Sequence, residues 1–271
     1  MPIKVGGGMN LKVALESAVS RRSLLLGTLS LAAVSFLAAC TGGVRSAVSS
    51  SASPSAATTA TGSPSPVVVA TPACVVTPAE TEGPYFVDER LNRSDIVSDP
   101  SDGSRRPGIP LSLTFSVAQV GTGGCTALPN AQVDVWHCDA LGVYSDVGAQ
   151  GSVGKRYLRG YQVTDAVGAA TFQTIYPGWY PGRAVHIHFK VRTFSGTSKT
   201  FEFASQVFFD DTFTDEVYRQ APYSSHPNRD TRNATDMVYS SNNNSGSMLL
   251  VAVAPRGAGY AASFAIGLKL A

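Results

Sequence analysis

Four side chains in the middle of the chain have the types and spacing of a metal-binding set. His186 and His188 are one residue apart in a run that reads as a β-strand, and side chains at i and i+2 of a strand point to the same face. Tyr180 lies six positions before His186, and Tyr144 lies 36 positions before Tyr180. Two phenolates and two neutral imidazoles suit ferric iron, a hard ion that favours anionic oxygen.

The strand at 185–191 separates these histidines from its apolar residues. Val185, Ile187 and Phe189 alternate with the histidines, so we expect the apolar side chains to face the core and both imidazoles to share the other face. An isolated H-x-H motif on an exposed strand face more often consists of two ordinary polar side chains than of two metal ligands. The metal interpretation therefore depends on the neighbouring motifs.

Short alternating segments, separated by Gly, Asn and Asp, make up the rest of the chain after its first 72 residues. The segments that read as strands are 111–117, 132–136, 170–175, 185–191, 201–209, 248–253 and 260–268. Regular short strands with such breaks predict an all-β sandwich or barrel with long loops and little helix. The single expected helical turn is 214–218, with Thr214 as its N-cap.

Residues 1–39 read as an export signal. Arg21-Arg22 precede an apolar run that ends in Leu37-Ala-Ala-Cys40, which resembles a twin-arginine signal followed by a lipobox. We expect Cys40 to carry the lipid that anchors the exported protein at the outer face of the cytoplasmic membrane or cell envelope. The alternative is a single transmembrane anchor, for which the run is short against a core of about 30 Å.

Composition divides the remainder into a linker and one domain. Residues 40–72 are rich in Ser, Ala, Thr and Pro and cannot bury enough apolar surface to fold, which predicts a flexible linker. Residues 73–271 are long enough for one domain with its own core. Without residues 1–39, which carry four of the basic residues and one acid, the formal charge of +2 becomes about −1. This balance gives no reason to expect a nucleic-acid partner.

The cysteines allow at most one internal bridge once Cys40 is assigned to a lipid. We expect Cys74 to pair with Cys125, because both lie in loops at the domain edge, whereas Cys138 follows Trp136 in an apolar strand. Pairing of Cys74 with Cys138 is the alternative.

Taken together, these motifs resemble the intradiol ring-cleavage dioxygenases. The matching phrases occur in the order of that family, and they are Thr81-Glu-Gly-Pro-Tyr-Phe86, Gly142-Val-Tyr144-Ser-Asp146, Leu158-Arg-Gly160, Pro177-Gly-Trp-Tyr180, Arg183-Ala-Val-His186-Ile-His188 and Gln206-Val-Phe-Phe209. The combination of an Arg three residues before an H-x-H pair is the most specific of them. The resemblance covers most of 74–271 and implies the prealbumin-like β-sandwich of that family.

The resemblance also implies a cofactor, a reaction and roles. Fe(III) would be bound by Tyr144, Tyr180, His186 and His188, and Tyr180 would leave the metal when a catechol binds. The family cleaves the ring between the two hydroxyl-bearing carbons with O2, giving a muconate-type diacid. Arg183 would stabilise developing negative charge, while Gln206 and Tyr85 would contact substrate. The alternatives are a surface ion pair for Arg183 and an ordinary strand residue for Gln206.

The two other histidines are not expected to bind the metal. His137 follows Trp136 on the opposite strand face and is expected to be structural, and His226 lies in a loop where a solvated role is expected. The six-residue spacing between Tyr180 and His186 is shorter than in the cytoplasmic family members, which predicts a more open pocket. Together with export, it favours larger aromatic or lignin-derived catechols. The sequence also lacks the helical N-terminal dimerisation segment of the catechol-cleaving branch of the family, which leaves the oligomeric state open, with a homo-oligomer as one alternative.

A non-catalytic module is the rival function class. Exported β-sandwiches that bind carbohydrates or mediate adhesion share motifs such as Pro177-Gly-Trp-Tyr180, because these motifs are typical of the sandwich fold and do not depend on a catalytic activity. Such modules have no reason to keep Tyr144, Arg183 and the H-x-H pair together.

Overall fold

The computed structural model describes residues 74–226 and 228–270, and these form a β-sandwich. The predictions for 1–39 and 40–72, including Cys40, lie outside the described residues. The nine strands are β1 (Pro110–Gly121), β2 (Gly124–Ala127), β3 (Gln132–Trp136), β4 (Arg159–Val163), β5 (Ala169–Ile175), β6 (His186–Ser195), β7 (Ser198–Phe208), β8 (Ala252–Arg256) and β9 (Gly259–Leu268). The predicted all-β sandwich class is confirmed.

The strands divide between two sheets. One sheet has the order β2-β1-β9-β8, with β5 also paired to β1, and the other has the order β4-β3-β6-β7. Strands β1 and β9 run parallel, whereas the second sheet is antiparallel throughout. The strand that carries both histidines, β6, is therefore a central strand of the second sheet, where its backbone is hydrogen-bonded on both sides.

Aromatic side chains fill the space between the sheets. Phe115 of β1 lies 5.1 Å, ring centroid to centroid, from Phe189 of β6, and Phe264 of β9 lies 6.1 Å from the same Phe189 ring. Ile187 and Phe189 are fully buried in this core. The predicted alternation of β6 is confirmed. Its apolar side chains pack between the sheets, and His186 and His188 therefore lie on the other face.

An N-terminal strap, residues 81–92, covers that other face of β6. The strap is attached by two cations that follow the histidines on the same face, Lys190 and Arg192. Lys190 forms an ion pair with Glu82 and lies 3.7 Å from the centroid of the Phe86 ring, and Nη1 of Arg192 donates to Asp88 at 2.9 Å. The histidine face is thus buried rather than solvent-exposed.

Helical structure is sparse and differs in detail from the prediction. The helix α1 (Asp211–Tyr218) is capped by Asp210, whose carboxylate accepts from the Phe213 N–H at 2.8 Å, so the expectation that Thr214 caps it was wrong. Thr214 lies inside the helix, where its hydroxyl bonds the Asp210 carbonyl. The remaining helical turns are the short segments Gly148–Gln150, Tyr223–Ser225, Asn233–Thr235, Ser241–Asn244 and Ser245–Leu249.

The strand predicted at 248–253 is also wrong for most of its length. Ser245–Leu249 is a 3-10 helix, and β8 begins only at Ala252. The three residues Asn242, Asn243 and Asn244 all have positive φ. They turn the chain sharply before Met248, so the apolar pattern there serves packing after a turn rather than a strand.

The cysteines and the helices complete the description. Cys74 and Cys125 form a disulfide with Cα atoms 5.3 Å apart, and Cys138 is a buried free thiol. Among residues 74–226 and 228–270, no helix has the length and apolarity required to span a membrane.

Candidate metal centre

The two histidines and two tyrosines singled out in the sequence meet at one point. The Nε2 atom of His186 lies 3.0 Å from Nε2 of His188, 3.2 Å from the Tyr180 hydroxyl and 3.5 Å from the Tyr144 hydroxyl. The central strand β6 supplies the histidines, the loop after β3 supplies Tyr144, and the turn between β5 and β6 supplies Tyr180. Residues separated by 44 positions are thus brought within hydrogen-bond distance of one another.

The imidazoles are held neutral and oriented. His186 is fully buried, and its Nδ1 donates to the Ala184 carbonyl at 2.6 Å, so its Nε2 carries the lone pair that points to the centre. Burial, helped by the Arg183 charge, lowers the pKa of His186 to about 3. Burial and the neighbouring His186 place the pKa of His188 well below its usual range.

The phenols are protonated in the absence of a cation. Burial raises the pKa of Tyr144 well above its ordinary value, and burial raises the pKa of Tyr180 to about 12. A bound cation reverses this preference, because it favours the phenolate that coordinates it, and binding then releases protons. Tyr180 is the more exposed of the two tyrosines, so the open side of the site lies at Tyr180.

This donor set fits a ferric ion. Two donors that each bond one metal at about 2 Å and at a right angle are about 3 Å apart, which is the spacing found around Nε2 of His186. The residues that the structure describes contain no group of three or more His, Cys, Asp or Glu side chains that could hold a metal ion. The site therefore offers two potential phenolates and two imidazoles, a combination that favours a hard trivalent cation.

Trp136 and Gly83 position His188. The indole of Trp136 stacks on the imidazole with ring centroids 5.0 Å apart and planes 6° from parallel. On the other side, Gly83 of the strap has φ +71°, and a Cβ atom there would lie 3.1 Å from Cε1 of His188. A glycine in the left-handed region thus lets the strap close over the histidine.

Arg183 stands beside the four donors, and it is fixed by two partners. Its Nε donates to Oδ2 of Asp236 at 2.9 Å, and its Nη2 donates to Oε1 of Gln206 at 2.6 Å. Its Nη1 makes no hydrogen bond to any residue in the described part of the chain, so this nitrogen is available to a ligand. Asp236 was not singled out in the sequence, because it lies 53 residues from Arg183 with no motif around it.

Gln206 and Tyr85 lie at the site in different ways. Gln206 is fully buried, and both ends of its amide are used, since Nε2 donates to the Thr81 carbonyl at 2.8 Å while Oε1 accepts from Arg183. Tyr85 lies on the strap with its ring centroid 4.6 Å from that of Tyr144 and 6.0 Å from that of Tyr180. Tyr85 therefore forms an aromatic wall of the site.

The remaining histidines lie outside the donor cluster. His137 is buried and bonds the Cys138 carbonyl at 2.8 Å and the Thr174 hydroxyl at 2.7 Å, which is the structural role expected for it. His226 is not simply solvated, as expected; its ring stacks on Trp179 with centroids 4.6 Å apart and planes 16° from parallel. The loop that carries His226 folds back onto the turn that carries Tyr180, a contact without a local sequence signal.

Comparisons with known proteins place the chain in a family. The family model described as "Dioxygenase" matches residues 81–221, just over half of the chain. None of the curated proteins searched matches this chain. An intradiol ring-cleavage dioxygenase from Tetranychus urticae is 29% identical, with a TM-score of 0.62 over 72% of this chain and 95% of its own.

Two further solved structures extend the comparison. The dioxygenase domain of a dioxygenase–carbohydrate-binding protein fusion from Streptomyces sp. SirexAA-E is 28% identical, with a TM-score of 0.52 over 73% of this chain and 100% of its own. The 3-chlorocatechol 1,2-dioxygenase from Rhodococcus opacus 1CP is 19% identical, with a TM-score of 0.51 over 72% of this chain and 73% of its own, and shows the likeness of fold alone. Motif order, fold and family model lead to one conclusion: the chain belongs to the intradiol ring-cleavage dioxygenase family.

Proposed function

We propose that this protein is a non-haem Fe(III) dioxygenase that cleaves a catechol-type ring between its two hydroxyl-bearing carbons with O2, giving a muconate-type diacid. The observation that carries the proposal is the convergence of His188, Tyr180 and Tyr144 within 3.0 to 3.5 Å of Nε2 of His186. Membership of the family supports the reaction class.

The four donors would hold the ferric ion, which would supply Lewis acidity and a template for the catechol. His186 and His188 stay neutral because they are buried, so the positive charge of the site is balanced by oxygen donors. Held as a phenolate by the ferric ion, Tyr180 at the open side would take up a proton from a catechol hydroxyl at its Oη atom. No further general base is required for this proton.

Arg183 would act on the substrate through its unoccupied Nη1. Its guanidinium stays cationic in a partly buried site, and the bonds to Asp236 and Gln206 hold it in one orientation. A fixed cation beside the donor set stabilises negative charge that develops on the ring carbon. Tyr85 would pack against the substrate ring and help to exclude water.

The test is oxygen uptake by the protein reconstituted with ferric iron. We expect one O2 consumed per catechol-type substrate, both atoms of ¹⁸O2 in the product, and a ring-opened diacid. The panel contains catechol, hydroxyquinol, protocatechuate and larger lignin-derived catechols, and the proposed location and short turn before His186 favour the last group. An iron-loaded protein that takes up no oxygen with any of them refutes the proposal.

We also propose that the enzyme works outside the cytoplasm on a lipid anchor at Cys40. The sequence around Leu37-Ala-Ala-Cys40 supports this location. Cell fractionation tests it: Cys40→Ala is expected to abolish lipid labelling and membrane association, whereas Cys138→Ala, at the buried free thiol, leaves both unchanged. A wild-type protein that stays in the cytoplasmic fraction contradicts the location without affecting the proposed reaction.

A further inference from the structure

One row of cross-strand neighbours runs across the second sheet beneath the metal centre. In the register of the sheet, Arg159 lies opposite Trp136, Trp136 opposite His188, and His188 opposite Gln206. Directly opposed residues of an antiparallel pair have side chains on the same face. The row therefore places Arg159 on the metal-binding face, two strands from the ligand His188.

Arg159 is a buried cation whose hydrogen bonds all go to uncharged acceptors. The residue is only 2% exposed. Its Nη1 donates to the Tyr85 carbonyl at 2.6 Å, its Nη2 donates to the Ser145 carbonyl at 2.6 Å, and its Nε donates to the Ser145 hydroxyl at 2.8 Å. Within residues 74–226 and 228–270, no carboxylate forms an ion pair with it. Arg183, on the other side of His188, differs because Asp236 balances its charge.

The acceptors of Arg159 belong to the two segments that hold the aromatic side of the site. Ser145 is the residue next to Tyr144, and Tyr85 is the strap residue whose ring centroid lies 4.6 Å from that of Tyr144. One guanidinium therefore fixes the distance between a metal ligand and the wall that packs on it. The planar guanidinium of Arg159 presents several N–H donors in a fixed arrangement. The single ammonium group of a Lys could not bond both segments in the same geometry.

We propose that Arg159 is a positioning residue for the proposed metal ligand Tyr144, which it holds in place through its hydrogen bonds to Ser145 and Tyr85. This inference rests on the proposed function, since it requires a bound ferric ion. It adds a residue that touches neither the metal nor the substrate.

The test compares Arg159→Gln and Arg159→Lys with matched substitutions at Arg93. Arg93 is the control, because its guanidinium likewise joins distant segments, through the backbone carbonyls of Ser98, Arg156 and Arg159, and none of these carbonyls belongs to the loop that carries Tyr144 or to Tyr85. Each variant is titrated with ferric iron, and the tyrosinate-to-iron absorption band is recorded in the wild-type and Tyr180→Phe backgrounds. In the second background Tyr144 is the one tyrosinate ligand of the proposed set.

Arg159→Gln is expected to shift the Tyr144 band and to weaken ferric binding by about 10- to 100-fold, as for other groups that support a metal ligand. Arg159→Lys keeps a positive charge but loses the planar guanidinium that bonds both segments, so its iron affinity is also expected to fall. The Arg93→Gln and Arg93→Lys variants lose thermal stability without a shift of the band.

Equal band positions and iron affinities in the Arg159 and Arg93 series overturn the proposal. Should Arg159→Gln fail to fold, judged by circular dichroism, the comparison of Arg159→Lys with Arg93→Lys decides, and equal iron affinities again overturn it. A wild-type protein that binds no ferric iron at all refutes the proposed function instead, so the two failures are distinguishable.

Discussion

Asp236 connects to His186 through the backbone of Ala184. Oδ2 of Asp236 accepts from the Ala184 N–H at 2.6 Å, and the Ala184 carbonyl accepts from Nδ1 of His186 at 2.6 Å. The same oxygen of Asp236 accepts from Nε of Arg183. Burial opposes ionisation of Asp236, but the Tyr239 N–H and the Arg183 charge hold its pKa below the usual range. One carboxylate thus orients both His186, a proposed metal ligand, and the Arg183 cation beside it.

Asp236→Asn is therefore expected to reduce stability and turnover together. The Asn side chain places either an NH2 group or a weaker acceptor against the N–H groups of Ala184 and Arg183. It also leaves Arg183 without its counter-charge, and removing one partner of a buried ion pair costs about 3 to 5 kcal/mol of stability. Urea unfolding and the kcat for catechol measure the two effects. The control is Asp230→Asn, since Asp230 is exposed and accepts from the Gly182 N–H at 3.1 Å. Equal behaviour of the two variants would show that Asp236 does not position the site.

Gly83→Ala is expected to disturb His188. The left-handed backbone costs an Ala about 1 to 2 kcal/mol, and the new Cβ would lie 3.1 Å from Cε1 of His188. Gly103→Ala is a matched control, because Gly103 has φ +74° and no heavy atom within 4 Å of its Cβ position. We expect both variants to lose similar stability in urea, but only Gly83→Ala to lose affinity for ferric iron. Unchanged iron affinity in Gly83→Ala would contradict the close contact.

Acid is expected to destabilise the metal-free protein partly through His137. Burial lowers the pKa of His137 from 6.5 to about 4. The unfolded chain therefore binds a proton that the folded chain does not between these two values, and stability is lost as the pH falls through this window. Between pH 7.5 and pH 5 this residue contributes a loss of about 2 kcal/mol.

Urea unfolding of the metal-free wild type and of His137→Gln at the two pH values measures this contribution. The variant is less stable at both, because it loses the bonds to Cys138 and Thr174, but its stability falls less on acidification. The same fall in wild type and variant would assign the acid sensitivity to other groups.

Alternation and motif order were sufficient to predict the sandwich and the strand that carries His186 and His188. The predicted segment 132–136 coincides with β3 (Gln132–Trp136). These features are local, since the alternation of apolar and polar side chains and the Gly or Asn at a turn can be recognised from a few consecutive residues. The family phrases then indicated which distant residues accompany the histidines.

Contacts made across the fold were not predictable in this way. Asp236 and Arg183 are 53 residues apart, and no sequence pattern around Asp236 identifies it as the partner of Arg183. The stacking of His226 on Trp179 likewise depends on how a loop returns to the site. The segment at 248–253 was misread because three consecutive left-handed asparagines reverse the chain before it, and tertiary packing outweighs local apolar pattern there.

The absorption spectrum of the protein loaded with ferric iron tests the central claim most directly. A site with Tyr144 and Tyr180 as ligands predicts a broad visible tyrosinate-to-iron band at one iron per chain. Tyr180→Phe and Tyr144→Phe should each bleach or shift it, whereas Tyr157→Phe, a buried tyrosine outside the donor set, should leave it unchanged. A colourless protein that cannot be loaded with iron, or a band that survives both ligand substitutions unaltered, would contradict the account.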